Sequence, residues 1–96
     1  MSPKNKKKLN IQRKKLDKLD HDLLNVIKKR SNIVKKVLLL KSRKNEIVDQ
    51  KRIKQILNKI RQESFNRKID PKITKRIWKN MIWSYIDFEK KVFKKK

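Results

Sequence analysis

Charged residues interrupt the apolar pattern of this sequence at positions where they could line a binding groove. Arg30 falls where an apolar residue is expected between Ile27 and Val34. Lys41 follows eleven residues later, and eleven helical steps of about 100° return to nearly the same helix face. We therefore expect these two cations to face one groove. Arginine suits the binding of an anion there, because its guanidinium binds a carboxylate through two parallel hydrogen bonds.

Arg13 is a third candidate, but it cannot serve the same groove in its own chain. It precedes Arg30 by seventeen residues, which turns it by roughly 100° and places it about 25 Å away along a straight helix. It could instead reach a site in a second subunit. On a later helix, Glu89 shares a face with Ile82 and Tyr85. Any one of these cations alone could be an ordinary solvated side chain, and only the set as a whole indicates a site.

The composition excludes several kinds of chemistry. Glycine and cysteine are both absent, so the chain has neither a glycine-rich phosphate-binding loop nor a thiol nucleophile or disulfide. The single histidine, His21, cannot form a metal site without other ligands. We therefore expect neither a cofactor nor a metal.

The net charge of +23 admits a second interpretation, a basic helical protein that binds nucleic acid or serves in an assembly. However, Lys far outnumbers Arg, and Ile and Asn are also frequent. These three residues share AT-rich codons, so a biased base composition accounts for much of the charge. The aromatic residues of the last helix lie beside apolar positions, as core residues do, rather than on a basic face. We do not expect nucleic acid as a partner.

The apolar content predicts a folded protein without a membrane segment. Leu, Ile, Val and Phe make up 29 of the 96 residues, more than disordered chains contain. The longest apolar run, 37–40, is far too short to cross a membrane. The basic stretch 4–8 is not followed by the apolar region of a secretory signal. We expect a cytoplasmic protein.

Apolar residues at spacings of three and four predict an all-α fold of three helices. The first runs from about residue 6 to residue 43 and is about 55 Å long. That is too long for two shorter helices to cover, so we expect a partner subunit to bury the rest of its apolar stripe. We expect one domain over residues 1–96, with frayed basic ends at 1–8 and 94–96.

Capping signals define the other two helices. Asp49 is an N-cap, and the second helix should end near Asn66. Asp70 and Pro71 are an N-cap and a first helical residue for the third. The expected apolar faces of these two helices include Ile53, Ile56, Leu57, Ile60 and Phe65, then Ile73, Ile77, Trp78, Met81, Ile82, Tyr85, Phe88 and Val92.

In this order and at these spacings, the residues resemble the all-α chorismate mutases and the related isochorismate-pyruvate lyases. The resemblance covers about residues 9–93. It is carried by the run Arg13-Lys14-Lys15-Leu16-Asp17-Lys18-Leu19-Asp20-His21-Asp22-Leu23-Leu24, which has the family order of an Arg, an apolar-Asp pair and Leu-Leu, then by Lys29-Arg30, Val34, Val37, Lys41, Asp49-Gln50-Lys51-Arg52, Asp70-Pro71, Ile77-Trp78, Met81-Ile82 and Glu89.

The resemblance implies an intertwined helical homodimer that rearranges chorismate to prephenate, in the biosynthesis of phenylalanine and tyrosine. Each site would use Arg30, Lys41, Arg52 and Glu89 of one chain and Arg13 of the other. The arginines would bind the two substrate carboxylates, and Arg52 would bind a carboxylate or order the closing loop. Lys41 and a protonated Glu89 would donate hydrogen bonds to the ether oxygen as it gains charge. This reaction needs no cofactor.

The chain departs from the family pattern at three positions. Ile53 stands where many members have a glutamate that binds the ring hydroxyl, so backbone near Asp49 would have to take that role. Tyr85 replaces a common serine and is similar to the lyase branch, which leaves the lyase reaction as an alternative. Glu89 is glutamine in some members, and as glutamate it must carry a proton in order to donate.

Overall fold

The computed structural model describes residues 1–94, which form three α-helices and contain no β-strand. Helix α1 spans Pro3–Leu39, α2 spans Gln50–Asn66 and α3 spans Pro71–Val92, and one 3-10 turn covers Lys44–Glu46. The expected all-α fold of one long and two shorter helices is confirmed. Helix α1 includes residues 3–8 of the basic N-terminal stretch. Of the basic C-terminal end expected to be frayed, residues 95 and 96 lie outside the described residues.

Helix α1 ends four residues earlier than the apolar pattern predicts. The backbone N–H groups of Leu40 and Lys41 bond three residues back, to the carbonyls of Val37 (3.0 Å) and Leu38 (3.1 Å), a tightening common in last helical turns. Lys41 therefore follows the helix instead of lying on it. The expectation that the first helix carries Lys41 is wrong, whereas the expectation that Arg30 and Lys41 face one groove stays a prediction.

The chain divides into two compact units, residues 1–33 and the residues from Val34 onward. The first unit consists almost entirely of α1. Its apolar side chains recur at helical spacing and yet are exposed, Leu16, Leu19 and Leu23 each by more than half. An amphipathic helix normally buries such a stripe, whereas in the single chain these leucines stay exposed.

The second unit has a small core of Leu38, Ile47, Ile82 and Ile86, flanked by the half-buried Val48, Ile53, Ile56, Leu57 and Phe93. Within it α2 packs against α3. Ile47, which follows the 3-10 turn, is the most buried of the four at 3% exposure. The connection between α1 and α2 is therefore anchored in the core rather than solvated along its whole length.

No helix in residues 1–94 is both long enough and apolar enough to cross a lipid bilayer.

Local signals place the ends of α2 and α3 as expected. The Asp49 carboxylate accepts the backbone N–H of Arg52 at 3.0 Å, and the Asp70 carboxylate accepts that of Lys72 at 2.9 Å. Helix α2 ends at Asn66. Past this end Lys68 has a φ of 56°, the left-handed conformation that glycine usually supplies at this point of a helix.

The buried face of α3 is rotated from the one that its apolar residues predict. Ile73 and Ile77 are more than half exposed, whereas Thr74 and Ile86 are buried. Thr74 lies against α2 because its hydroxyl is 2.7 Å from that of Ser64, so both hydroxyls are satisfied where they are buried. Phe65, expected on the apolar face of α2, is also mostly exposed.

Candidate active site

Lys41 and Glu89 form an ion pair inside the second unit. The Lys41 Nζ atom lies 3.6 Å from Glu89 Oε1, and the two side chains are 19% and 7% exposed. Glu89 is the only buried ionisable residue among residues 1–94. A carboxylate is costly to bury unless a charge of opposite sign compensates it, and Lys41 supplies that charge. A separation of 3.6 Å is too long for a good hydrogen bond, so the contact is a loose ion pair.

The segment after α1 positions Lys41. One oxygen of the Glu46 carboxylate, Oε1, accepts the backbone N–H of Arg43 at 2.8 Å and that of Ser42 at 3.2 Å. These two residues directly follow Lys41. Ile47 then anchors the end of the turn in the core. This role of Glu46 is not visible in the sequence, because no Ser or Thr stands three residues before it to mark a capping box.

An open pocket lies beside Lys41. It has a volume of about 500 Å³ and is lined by Lys41, Asn45, Glu46, Val48, Asp49 and Gln50. Two of the expected site residues, Lys41 and Asp49, therefore share one concave surface. Arg52 and Glu89 do not line this pocket, although Glu89 reaches Lys41 through the ion pair.

Asp49 and Arg52 are brought together by the start of α2. The Asp49 side chain holds the backbone N–H of Arg52, and both residues are exposed. Ile53, the next residue, packs against the core instead. This packing gives a physical reason for an apolar side chain at position 53.

The remaining expected residues lie on two helices. Tyr85 is half-buried on α3, one helical turn before Glu89, a spacing that places both on one face. In the first unit, Arg13 is exposed and Arg30 is half-buried on α1.

The structure thus defines an all-α protein with a buried glutamate paired to a lysine beside an open, partly charged pocket. The sequence profile of the chorismate mutase type II family matches residues 12–90, and the chain belongs to this family. All seven residues expected in the site, from Arg13 to Glu89, fall within the matched span. The family supports a function of the chorismate mutase type. No curated protein and no solved structure gives a significant match to the chain.

Proposed function

We propose that this protein is a chorismate mutase, which rearranges chorismate to prephenate in the biosynthesis of phenylalanine and tyrosine. The observation that carries the proposal is the buried Glu89 held 3.6 Å from Lys41 in a chain of this family. A loose ion pair of this kind can exchange its internal contact for contacts to a substrate atom that lies between the two groups.

The reaction is a rearrangement within one molecule. A carbon–carbon bond forms while the ether carbon–oxygen bond breaks, and no proton, electron or other group enters or leaves. Negative charge develops on the ether oxygen in the transition state. Lys41 would donate a hydrogen bond from Nζ to this oxygen, and Glu89 would donate a second from its protonated carboxyl group. Donors placed in advance where charge develops lower the barrier.

Glu89 must carry a proton to act in this way. We propose that Glu89 acts in its protonated form, in which it donates a hydrogen bond rather than accepts one.

The two substrate carboxylates need cationic partners. We propose that Arg30 binds one of them and that Arg13 of the partner subunit contributes to the same site, as the family resemblance implies. The exposed apolar stripe of α1 supports a homodimer, because a second copy of the chain would bury it. Holding both carboxylates selects the compact conformer in which the atoms that form the new bond are close together.

Arg52 and Asp49 have complementary proposed roles at the start of α2. Arg52 is exposed and carries a guanidinium that can bind a substrate carboxylate. Asp49 fixes the backbone of Arg52 and would act mainly through it. Because Ile53 packs against the core and offers no polar atom, backbone groups near Asp49 would bind the ring hydroxyl.

The alternative reaction in this family is the elimination of pyruvate from isochorismate. Tyr85, half-buried one turn before Glu89, is the residue that favours it. The test is to incubate the protein separately with chorismate and with isochorismate and to quantify prephenate and pyruvate. We expect prephenate from chorismate. Pyruvate from isochorismate without conversion of chorismate would replace the mutase with the lyase, and no product from either substrate would refute both.

A further inference from the structure

Glu46 lies where it can control the position of Lys41. Its single oxygen Oε1 accepts the backbone N–H groups of Ser42 and Arg43, the two residues that follow Lys41. A carboxylate that accepts backbone N–H groups forms stronger hydrogen bonds than a neutral acceptor does. Helix α1 has already ended at Leu39, and only a 3-10 type bond from the Lys41 N–H to the Leu38 carbonyl still ties the Lys41 backbone to its last turn.

The Glu46 backbone is itself held in place. It lies in the 3-10 turn, in which its N–H bonds to the Arg43 carbonyl at 3.1 Å. The next residue, Ile47, is buried in the core. Glu46 therefore links the start of the connection, where Lys41 lies, to a fixed point at its end. The side chain also lines the pocket beside Lys41.

We infer that Glu46 is a positioning residue for catalysis, which holds the Lys41 backbone so that the ammonium group stays within reach of Glu89 and the substrate. The inference rests on the proposed function, because it assigns a cause to the placement of Lys41 in that site. The negative charge of Glu46, taken alone, would weaken substrate binding rather than help catalysis. Glu46 brings a negative charge close to Lys41, beside which the dianionic substrate is proposed to react, so its carboxylate opposes substrate binding unless it has another role.

The test compares Glu46→Ala, which removes the acceptor, with Glu46→Gln, which keeps an acceptor oxygen but not the charge. Misplacing a catalytic group by about 1 Å can cost roughly 100-fold in rate. We expect Glu46→Ala to lower kcat by about 10- to 100-fold without raising KM, and Glu46→Gln to retain most of the activity. Glu63→Ala is the matched control, since Glu63 is a surface carboxylate paired with Arg67, and it should leave kcat unchanged.

A second comparison separates positioning from a general loss of structure. If Glu46 acts through Lys41, Glu46→Ala should lower kcat in the wild-type background and have little further effect in a Lys41→Met background, because coupled residues are not additive. Amide hydrogen exchange, which needs no turnover, should accelerate at Ser42 and Arg43 in Glu46→Ala.

Several results would overturn the inference. Provided that the wild type is active, the inference fails if Glu46→Ala has the same kcat as the wild type. It also fails if the losses of kcat from Glu46→Ala and Lys41→Met are additive, or if amide exchange at Ser42 and Arg43 is unchanged in Glu46→Ala. A wild-type protein inactive on both chorismate and isochorismate would instead refute the proposed function, and the inference with it.

Discussion

At the scale of single residues, the proposed chemistry depends on one carboxyl group that is buried next to one ammonium group. The Lys41–Glu89 pair satisfies both charges in the free protein. In the proposed reaction both side chains become hydrogen-bond donors to the same oxygen. Glu89 can do so only while it carries a proton, whereas Lys41 donates as an ammonium group.

The need for a donor at position 89 predicts how two substitutions differ. Glu89→Gln replaces the acid with a permanent N–H donor and should retain activity, whereas Glu89→Leu removes the donor and should lower kcat by roughly 100- to 1000-fold. The measurement is kcat of both variants at saturating chorismate. Equal kcat for the two variants would remove Glu89 from the chemistry.

Single residues also show what a sequence can and cannot predict. Asp49 and Asp70 were predictable as caps, because each bonds within its own first helical turn. The early end of α1 was not, because the apolar pattern continues past Leu39 and the capping box that Glu46 completes begins at Arg43, which is not a usual N-cap residue. The burial of Thr74 depends on Ser64 in another helix, and no local pattern contains that contact.

At the scale of elements, the α2–α3 turn is built without glycine. The Ile69 N–H bonds to the Ser64 carbonyl at 2.9 Å and the Lys68 N–H to that of Phe65 at 3.2 Å, the two hydrogen bonds of a Schellman motif. In this motif the left-handed residue is usually glycine, and here it is Lys68. The carbonyl groups at the end of α2 therefore have hydrogen-bond donors, but Lys68 must adopt an unfavourable left-handed conformation to provide them.

Replacing this lysine should stabilise the fold. A left-handed non-glycine residue costs about 1–2 kcal/mol, and the greater chain entropy of glycine offsets about 0.5–1 kcal/mol of the gain. Lys68→Gly should therefore raise the free energy of unfolding by about 0.5–1 kcal/mol. The free energies of unfolding of the variant and the wild type are measured by urea denaturation at one fixed protein concentration.

The matched control for this substitution is Lys59→Gly, in the interior of α2. There glycine should lower the free energy of unfolding by about 1 kcal/mol. If Lys68→Gly destabilised the protein as much as Lys59→Gly does, the left-handed turn would be refuted.

At the scale of the whole molecule, the two units differ in how much of their apolar surface is buried. The second unit has its own core and contains the Lys41–Glu89 pair. The first unit exposes its apolar stripe and carries Arg13 and Arg30. A homodimer would account for the stripe and would bring Arg13 to the site of the other subunit.

Mixed dimers test this arrangement. If Arg13 acts in the partner's site, a dimer of an Arg13→Ala chain and an Arg30→Ala chain has one site with both arginines and one with neither. Random mixing should therefore restore about a quarter of the wild-type activity, since half of the dimers are mixed and each has one intact site. Mixing Arg13→Ala with a chain that carries both substitutions is the control and should restore nothing. Failure of the first mixture to recover activity would exclude the shared site.

The central claim, that Lys41 beside Glu89 drives the conversion of chorismate to prephenate, is tested most directly by kcat of Lys41→Met. Loss of one donor to the developing charge should lower kcat by roughly 100- to 1000-fold. Lys44→Met removes the same charge three residues away, in the 3-10 turn, and should stay close to wild type. Equal kcat for Lys41→Met and Lys44→Met would contradict the claim.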